Sequence, residues 1–151
     1  MLRILRYPPV VTLLFMLMML LISCVFNMLR IQLPIFNWLA VLIFILSILV
    51  ILSAGWAFKK AKTTVDPTTP YKTTELVTTG IYQYSRNPMY VGLFGFLLAE
   101  ASLLGNPLCL IVIPFYIYTI NMRFIKPEEK ALKTIFGEQF VTYSKQVRMW
   151  L

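Results

Sequence analysis

Residues 38–57 read WLAVLIFILSILVILSAGWA. These twenty consecutive positions carry no charge and no proline, the length a helix needs to cross about 30 Å of hydrocarbon at ~1.5 Å per residue. Trp38 and Trp56 stand near its ends, where amphipathic rings anchor a span at the membrane–water boundary. The same character extends outward. Hydrophobic residues make up 59% of the 151 and charged residues 13%, with mean hydropathy +0.76. A soluble domain carries about 25% charge, so length and composition predict one domain, residues 1–151, lying in a bilayer.

Three further apolar runs predict spans at about 9–29, 89–104 and 108–124. The last two are joined by the uncharged GNP at 105–107, short enough only for a tight helical hairpin, and Pro114 predicts a kink in the fourth. Basic residues then assign the sides. Arg3 and Arg6 precede the first span, Lys59, Lys60, Lys62, Lys72 and Arg86 lie between the second and third, and Arg123, Lys126 and Lys130 end or follow the fourth. The other side offers only Arg30. The positive-inside rule puts both termini and the 58–88 loop in the cytoplasm. The excess of 14 Lys+Arg over 6 Asp+Glu is thus a topology signal, with no nucleic-acid module beside it.

The expected fold class is all-α: an integral membrane protein of four transmembrane helices and a C-terminal amphipathic cytoplasmic helix over 127–148. In that helix Pro127 suits a first position and Glu128 and Glu129 a first turn. Leu132, Phe136, Phe140, Tyr143, Val147 and Trp150 form its apolar face. The chain has no histidine, which removes an imidazole base or metal ligand, and no metal site is expected. Cys24 and Cys109 fall inside apolar runs and read as small hydrophobes.

Chemistry concentrates in GIYQYSRNPMYVG, residues 80–92. Pro88 makes Asn87 extended and opens the third span, leaving backbone N–H groups that suit an anionic ligand. Arg86 adds a cation, and Tyr82, Tyr84 and Tyr90 add aromatic faces and hydroxyls. An interfacial aromatic belt with a positive-inside arginine accounts for the same residues, and at this level both readings stand.

The order of motifs is more specific. LVTTGIYQYSRNPMYVG, a hairpin with NP, then EEKALKTIFGEQFVTYSKQV resembles the isoprenylcysteine carboxyl methyltransferase and phospholipid methyltransferase superfamily over about residues 60–150. Gly80, Tyr82, Arg86, Pro88, Tyr90 and Gly92 match the first half of its pattern. Glu128, Glu129, Leu132, Phe136, Gly137, Phe140 and Tyr143 match the second. The resemblance implies S-adenosylmethionine as cofactor, bound on the cytosolic face without a glycine-rich nucleotide fold. It implies a pocket of Leu76, Val77, Tyr82, Asn87, Pro88, Met89, Tyr90 and Glu128, to which Arg86 and Glu129 add their charges. Asn87 stands where the eukaryotic carboxyl methyltransferases carry histidine, and Phe124 where they carry arginine, with Arg123 beside it.

Methyl transfer from a sulfonium is an in-line displacement that needs alignment and exclusion of water. Glu128 is the expected base or cofactor ligand, and Arg123 the expected contact to the polar head of a lipophilic small-molecule or lipid acceptor entering from the bilayer. A non-catalytic membrane accessory protein and a related membrane reductase are the alternatives. Glu100, deep in the third span, is read as structural, with Asn121 as its partner.

Overall fold

The computed structural model describes residues 6–61 and 75–151, so Arg3, Lys62 and Lys72 lie outside the described residues. The fold is all-α among the described residues. Helices α1 (Pro8–Val25), α2 (Pro34–Lys60) and α3 (Pro88–Leu104) are followed by a continuous helical run. That run begins as the 3-10 turn Pro107–Ile111, becomes α4 (Val112–Ile120), widens into a π-turn (Asn121–Ile125) and returns to α5 (Lys126–Phe136). A last helix, α6, spans Glu138–Gln146. Pro8, Pro34, Pro88 and Pro107 each open a helical element, where the missing N–H has no helical partner to lose.

In a bilayer, water does not drive helices together, and close approach depends on small residues. Helix α2 buries only Ala40, Ser47, Ala54 and Ala57. The first three recur every seven residues, which keeps them on one face. That face packs on α3 at Gly92 and Gly95. A Cβ on Gly92 would meet the Ile51 side chain and lie 2.9 Å from the Ser47 carbonyl, and one on Gly95 would meet Ser47 Oγ. Many of the other α2 side chains are large, apolar and exposed, including Trp38 and Trp56, as suits a lipid-facing surface. Helices α1, α3 and α4 enclose the main core, with Met19, Leu97, Tyr116 and Ile120 inaccessible to solvent. Within it the Thr12 and Tyr116 hydroxyls share a 3.0 Å hydrogen bond.

The 105–107 connection is the tight hairpin expected. Gly105 takes a left-handed φ of +59°, and the Asn106 side chain accepts from the Leu108 N–H. It also ties down the chain between α1 and α2. Ile31 N–H donates to the Gly105 carbonyl (2.8 Å), Arg30 Nε to the Leu104 carbonyl (3.1 Å) and Asn106 Nδ2 to the Phe26 carbonyl (3.0 Å). That last bond captures the carbonyl at the end of α1, which stops at Val25 rather than at 29.

Among the described residues, three helical runs are long and apolar enough to cross a membrane: Pro8–Val25, Pro34–Lys60 and Pro107–Phe136. Helix α3 is apolar but has 17 residues. Helix α2 runs past the expected end at 57 to Lys60, whose ammonium sits 5.5 Å from the Trp56 ring. Pro114 is the third residue of α4, just past the 3-10 turn, so its missing N–H falls where the winding changes. The helix expected over 127–148 is two helices. Gly137, at φ +52° and ψ −125°, breaks it in a backbone region open essentially to glycine. Residues 147–151 are not helical. Glu100 makes no hydrogen bond to Asn121, whose side-chain Oδ1 instead accepts from Trp150 Nε1 at 3.0 Å. Glu100 Oε2 is buried without a protein partner.

Candidate active site

The two polar motifs meet at the end of the bundle that carries Lys59, Lys60 and Lys126. Gly80, at φ +64°, starts a 3-10 turn (Gly80–Gln83) that drops Tyr82 into the protein. The Tyr82 ring meets Phe58 of α2 edge-on, with centroids 5.4 Å apart. Its carbonyl accepts the Tyr143 hydroxyl of α6 at 2.7 Å. Burial raises both phenols above their usual range, so at neutral pH they remain protonated donors. Next along the chain, Ser85 Oγ accepts from the Asn87 N–H (3.1 Å), and the Asn87 carbonyl receives the first helical bonds, from Tyr90 and Val91.

Arg86 is a clamp. Its Nε and Nη2 grip one carboxylate oxygen of Glu129 at 2.8 and 2.7 Å, and Nη1 donates to the carbonyls of Ser144 (2.8 Å) and Val147 (2.7 Å). Both members of the ion pair are mostly shielded, at 12% and 19% exposure. The cation expected to attract a ligand is therefore largely spent on joining the start of α3 to α5 and α6. Asn87 is committed in the same way: its Nδ2 donates to the Met149 carbonyl at 3.0 Å. The break at Gly137 makes this possible, because α6 turns back to deliver Tyr143 and Ser144.

Between these elements lies a cavity of about 310 Å³, at the lower end of the range for small-molecule sites. Leu76, Val77, Tyr82, Arg86, Asn87, Met89, Tyr90, Glu128 and Glu129 all line it. Inside, the Tyr90 hydroxyl donates to Glu128 Oε2 at 3.0 Å, pairing the first turn of α3 with the first turn of α5. Pro88 does not line the cavity. It is fully buried beneath it and opens α3. Arg123 is not brought to the site either, being exposed on the π-turn, while Phe124 turns inward with its ring 6.4 Å from Tyr90. The π-turn has a local cause. Pro127 in a continuous helix would clash with the Arg123 carbonyl four residues back, and widening the preceding turn relieves that.

Much of the remaining lining is apolar, and sequence reasoning missed most of it. Tyr7, Pro8 and Pro9 at the head of α1, Ile51 and Phe58 of α2 and Leu93 of α3 line the cavity, as do Leu132, Phe140 and Tyr143 of the second motif. A faint signal existed: Ile51 and Phe58 are seven residues apart, and Leu93 is three past Tyr90. The result is a compartment that sets carboxylates and phenols among aliphatic and aromatic carbon.

The family described as "Phospholipid methyltransferase" matches residues 35–139, well over half of the chain. Three proteins named protein-S-isoprenylcysteine O-methyltransferase are among the similar sequences. That of Saccharomyces cerevisiae is 36% identical over 72 residues, that of Xenopus laevis 39% over 72 and that of Tribolium castaneum 41% over 75. Each alignment covers 48% of this chain but only 30%, 25% and 26% of the respective relative. No solved structure gives a significant match. The match takes in the whole of the first motif and the second from Glu128 to Gln139, and the chain belongs to the phospholipid methyltransferase family.

Proposed function

We propose that the protein transfers the methyl group of S-adenosylmethionine to a lipophilic acceptor held at the bilayer, in the manner of an isoprenylcysteine carboxyl methyltransferase. The observation that carries this reading is the Tyr90–Glu128 pair inside a cavity otherwise lined largely by aliphatic and aromatic carbon. The residues suit the cofactor. A sulfonium is a cation, and the cavity offers it the rings of Tyr82 and Tyr90 and the carboxylate of Glu128. When bound, S-adenosylmethionine supplies an electrophilic methyl on a neutral thioether leaving group. Glu128, oriented by the Tyr90 hydroxyl, holds a cationic or hydroxyl group of the cofactor or receives the acceptor's proton. The carbon-rich wall of Pro9, Ile51, Phe58 and Leu93 seats the acceptor's apolar part and keeps water out. The Arg86–Glu129 clamp fixes the geometry.

The same reading makes the protein multi-pass, with α3 as a fourth span and one domain over 1–151. At 17 residues α3 is ~26 Å long. Both termini and the site then face the cytoplasm, where Lys59, Lys60, Lys126 and Lys130 cluster. The test is binding. S-adenosylhomocysteine should raise the melting temperature of the detergent-purified protein, as a ligand selective for the native state must. Calorimetry showing no heat of binding at millimolar ligand would refute the enzyme reading, and a reporter fused after Leu151 that works only outside the cytoplasm would refute the orientation.

A further inference from the structure

The segment 147–151 lies beyond the region matched by the family, and no residue of it lines the cavity. Yet its backbone supplies partners to two residues that do. The Val147 carbonyl accepts from Arg86 Nη1 (2.7 Å), the Arg148 carbonyl from the Arg86 N–H (2.9 Å) and the Met149 carbonyl from Asn87 Nδ2 (3.0 Å). A non-helical segment stays in such a register only if something anchors it. Trp150 does. Its indole N–H donates to Asn121 Oδ1 at 3.0 Å, and its ring meets Phe94 edge-on at 6.1 Å, both rings packed against the main core. Asn121 is the first residue of the π-turn that leads to Glu128.

We infer that Trp150 is a positioning residue for the cofactor pocket: by locking 147–149 between the start of α3 and the π-turn, it holds Arg86 and Asn87 in their pocket-lining places. Trp150 touches neither cofactor nor acceptor. Its effect passes through the three carbonyls, and through Arg86 to Glu129. The inference rests on the cofactor reading above for its consequence in binding, but not for the anchoring itself.

The experiment uses the full chain in detergent with Trp150→Ala and Trp150→Phe, the second keeping a ring against Phe94 while removing the N–H. Hydrogen exchange followed by mass spectrometry reports the Arg86 amide, and S-adenosylhomocysteine titration reports the pocket. The expected result is at least about ten-fold faster exchange in the peptide holding Arg86 with α1 and α2 unchanged, together with a Kd raised about 5- to 30-fold, the scale of one or two lost hydrogen bonds. Unchanged exchange at Arg86 in Trp150→Phe and Trp150→Ala overturns the anchoring, and faster exchange with unaltered affinity overturns the role in the pocket. Should Trp150→Ala not fold, Trp150→Phe decides. If the unsubstituted protein binds no S-adenosylhomocysteine, the cofactor reading fails and the exchange measurement alone still decides the anchoring.

Discussion

The hydroxyl of Tyr90 donates to the carboxylate of Glu128 at 3.0 Å, across 38 positions of chain. One residue belongs to the first turn of α3 and the other to the first turn of α5, so this bond closes the two halves of the site on each other. Tyr90→Phe leaves the shielded Glu128 carboxylate without this donor, while Glu128→Gln keeps an acceptor but removes the charge. Tyr90→Phe and Glu128→Gln should each weaken S-adenosylhomocysteine binding by about 10- to 100-fold, the range for a hydrogen bond to a charged group. Isothermal titration of the folded variants checks this, and Tyr90→Phe with native affinity would remove the pair from the pocket's function.

Arg86 should be a stability residue before it is a binding residue. Lysine can carry its charge but cannot reach Glu129 and the Ser144 and Val147 carbonyls at once, because it lacks the planar fork. We expect Arg86→Lys to cost about 2–4 kcal/mol, a fall in melting temperature on the order of 5–15 °C. Differential scanning fluorimetry without ligand measures it. A drop under a degree or two would mean that the clamp contributes little.

Two glycines make a paired test of backbone strain against propensity. Neither Gly137 nor Gly55 has anything within 4 Å of an added Cβ, so space is not at issue. Gly137 sits at φ +52° and ψ −125°, and alanine there should destabilise by about 1–3 kcal/mol and weaken ligand binding as Tyr143 and Ser144 shift. Gly55 lies inside α2, and alanine there should stabilise by about 0.5–1 kcal/mol. The expected outcome is opposite signs in the two melting shifts.

Arg123→Ala should change neither S-adenosylhomocysteine affinity nor turnover by more than about two-fold, within the scatter of an exposed surface substitution. The guanidinium is exposed and the cavity is lined without it. Turnover measured on membrane extract with methyl-labelled cofactor checks it, and a large loss of turnover at constant affinity would return Arg123 to the acceptor's path.

Gly92→Ala tests the seam between α2 and α3. Its methyl would meet Ile51 and the Ser47 carbonyl, and backbone yields less readily than a side chain. A loss of about 1–3 kcal/mol is expected, read as a lower melting temperature with no change in the ligand-induced shift. Retained stability would mean that the helices part without penalty.

Much of this fold is written locally. The apolar run from Trp38 to Ala57, the prolines that open helical elements and the basic residues beside them depend only on neighbours along the chain, so periodicity and composition reveal them. The halves of the site were legible for the same reason, since RNPMY sits at a helix start and EEKAL directly follows Pro127. What the chain could not disclose was how those halves use each other. Arg86 looked like a free cation, and its partners are Glu129 and carbonyls 58 and 61 positions away. A long guanidinium takes whichever acceptors packing presents, and backbone carbonyls carry no mark in sequence. The apolar cavity wall from Tyr7, Pro9 and Ile51 was hidden because a lipid-facing and a ligand-facing aliphatic side chain are chemically the same. Residues 147 and 148 read as more helix because Val147 and Trp150 fall on the apolar period. Only closure of the tertiary structure shows that burying its ring against Phe94 and satisfying its N–H at Asn121 requires the chain to leave the helix.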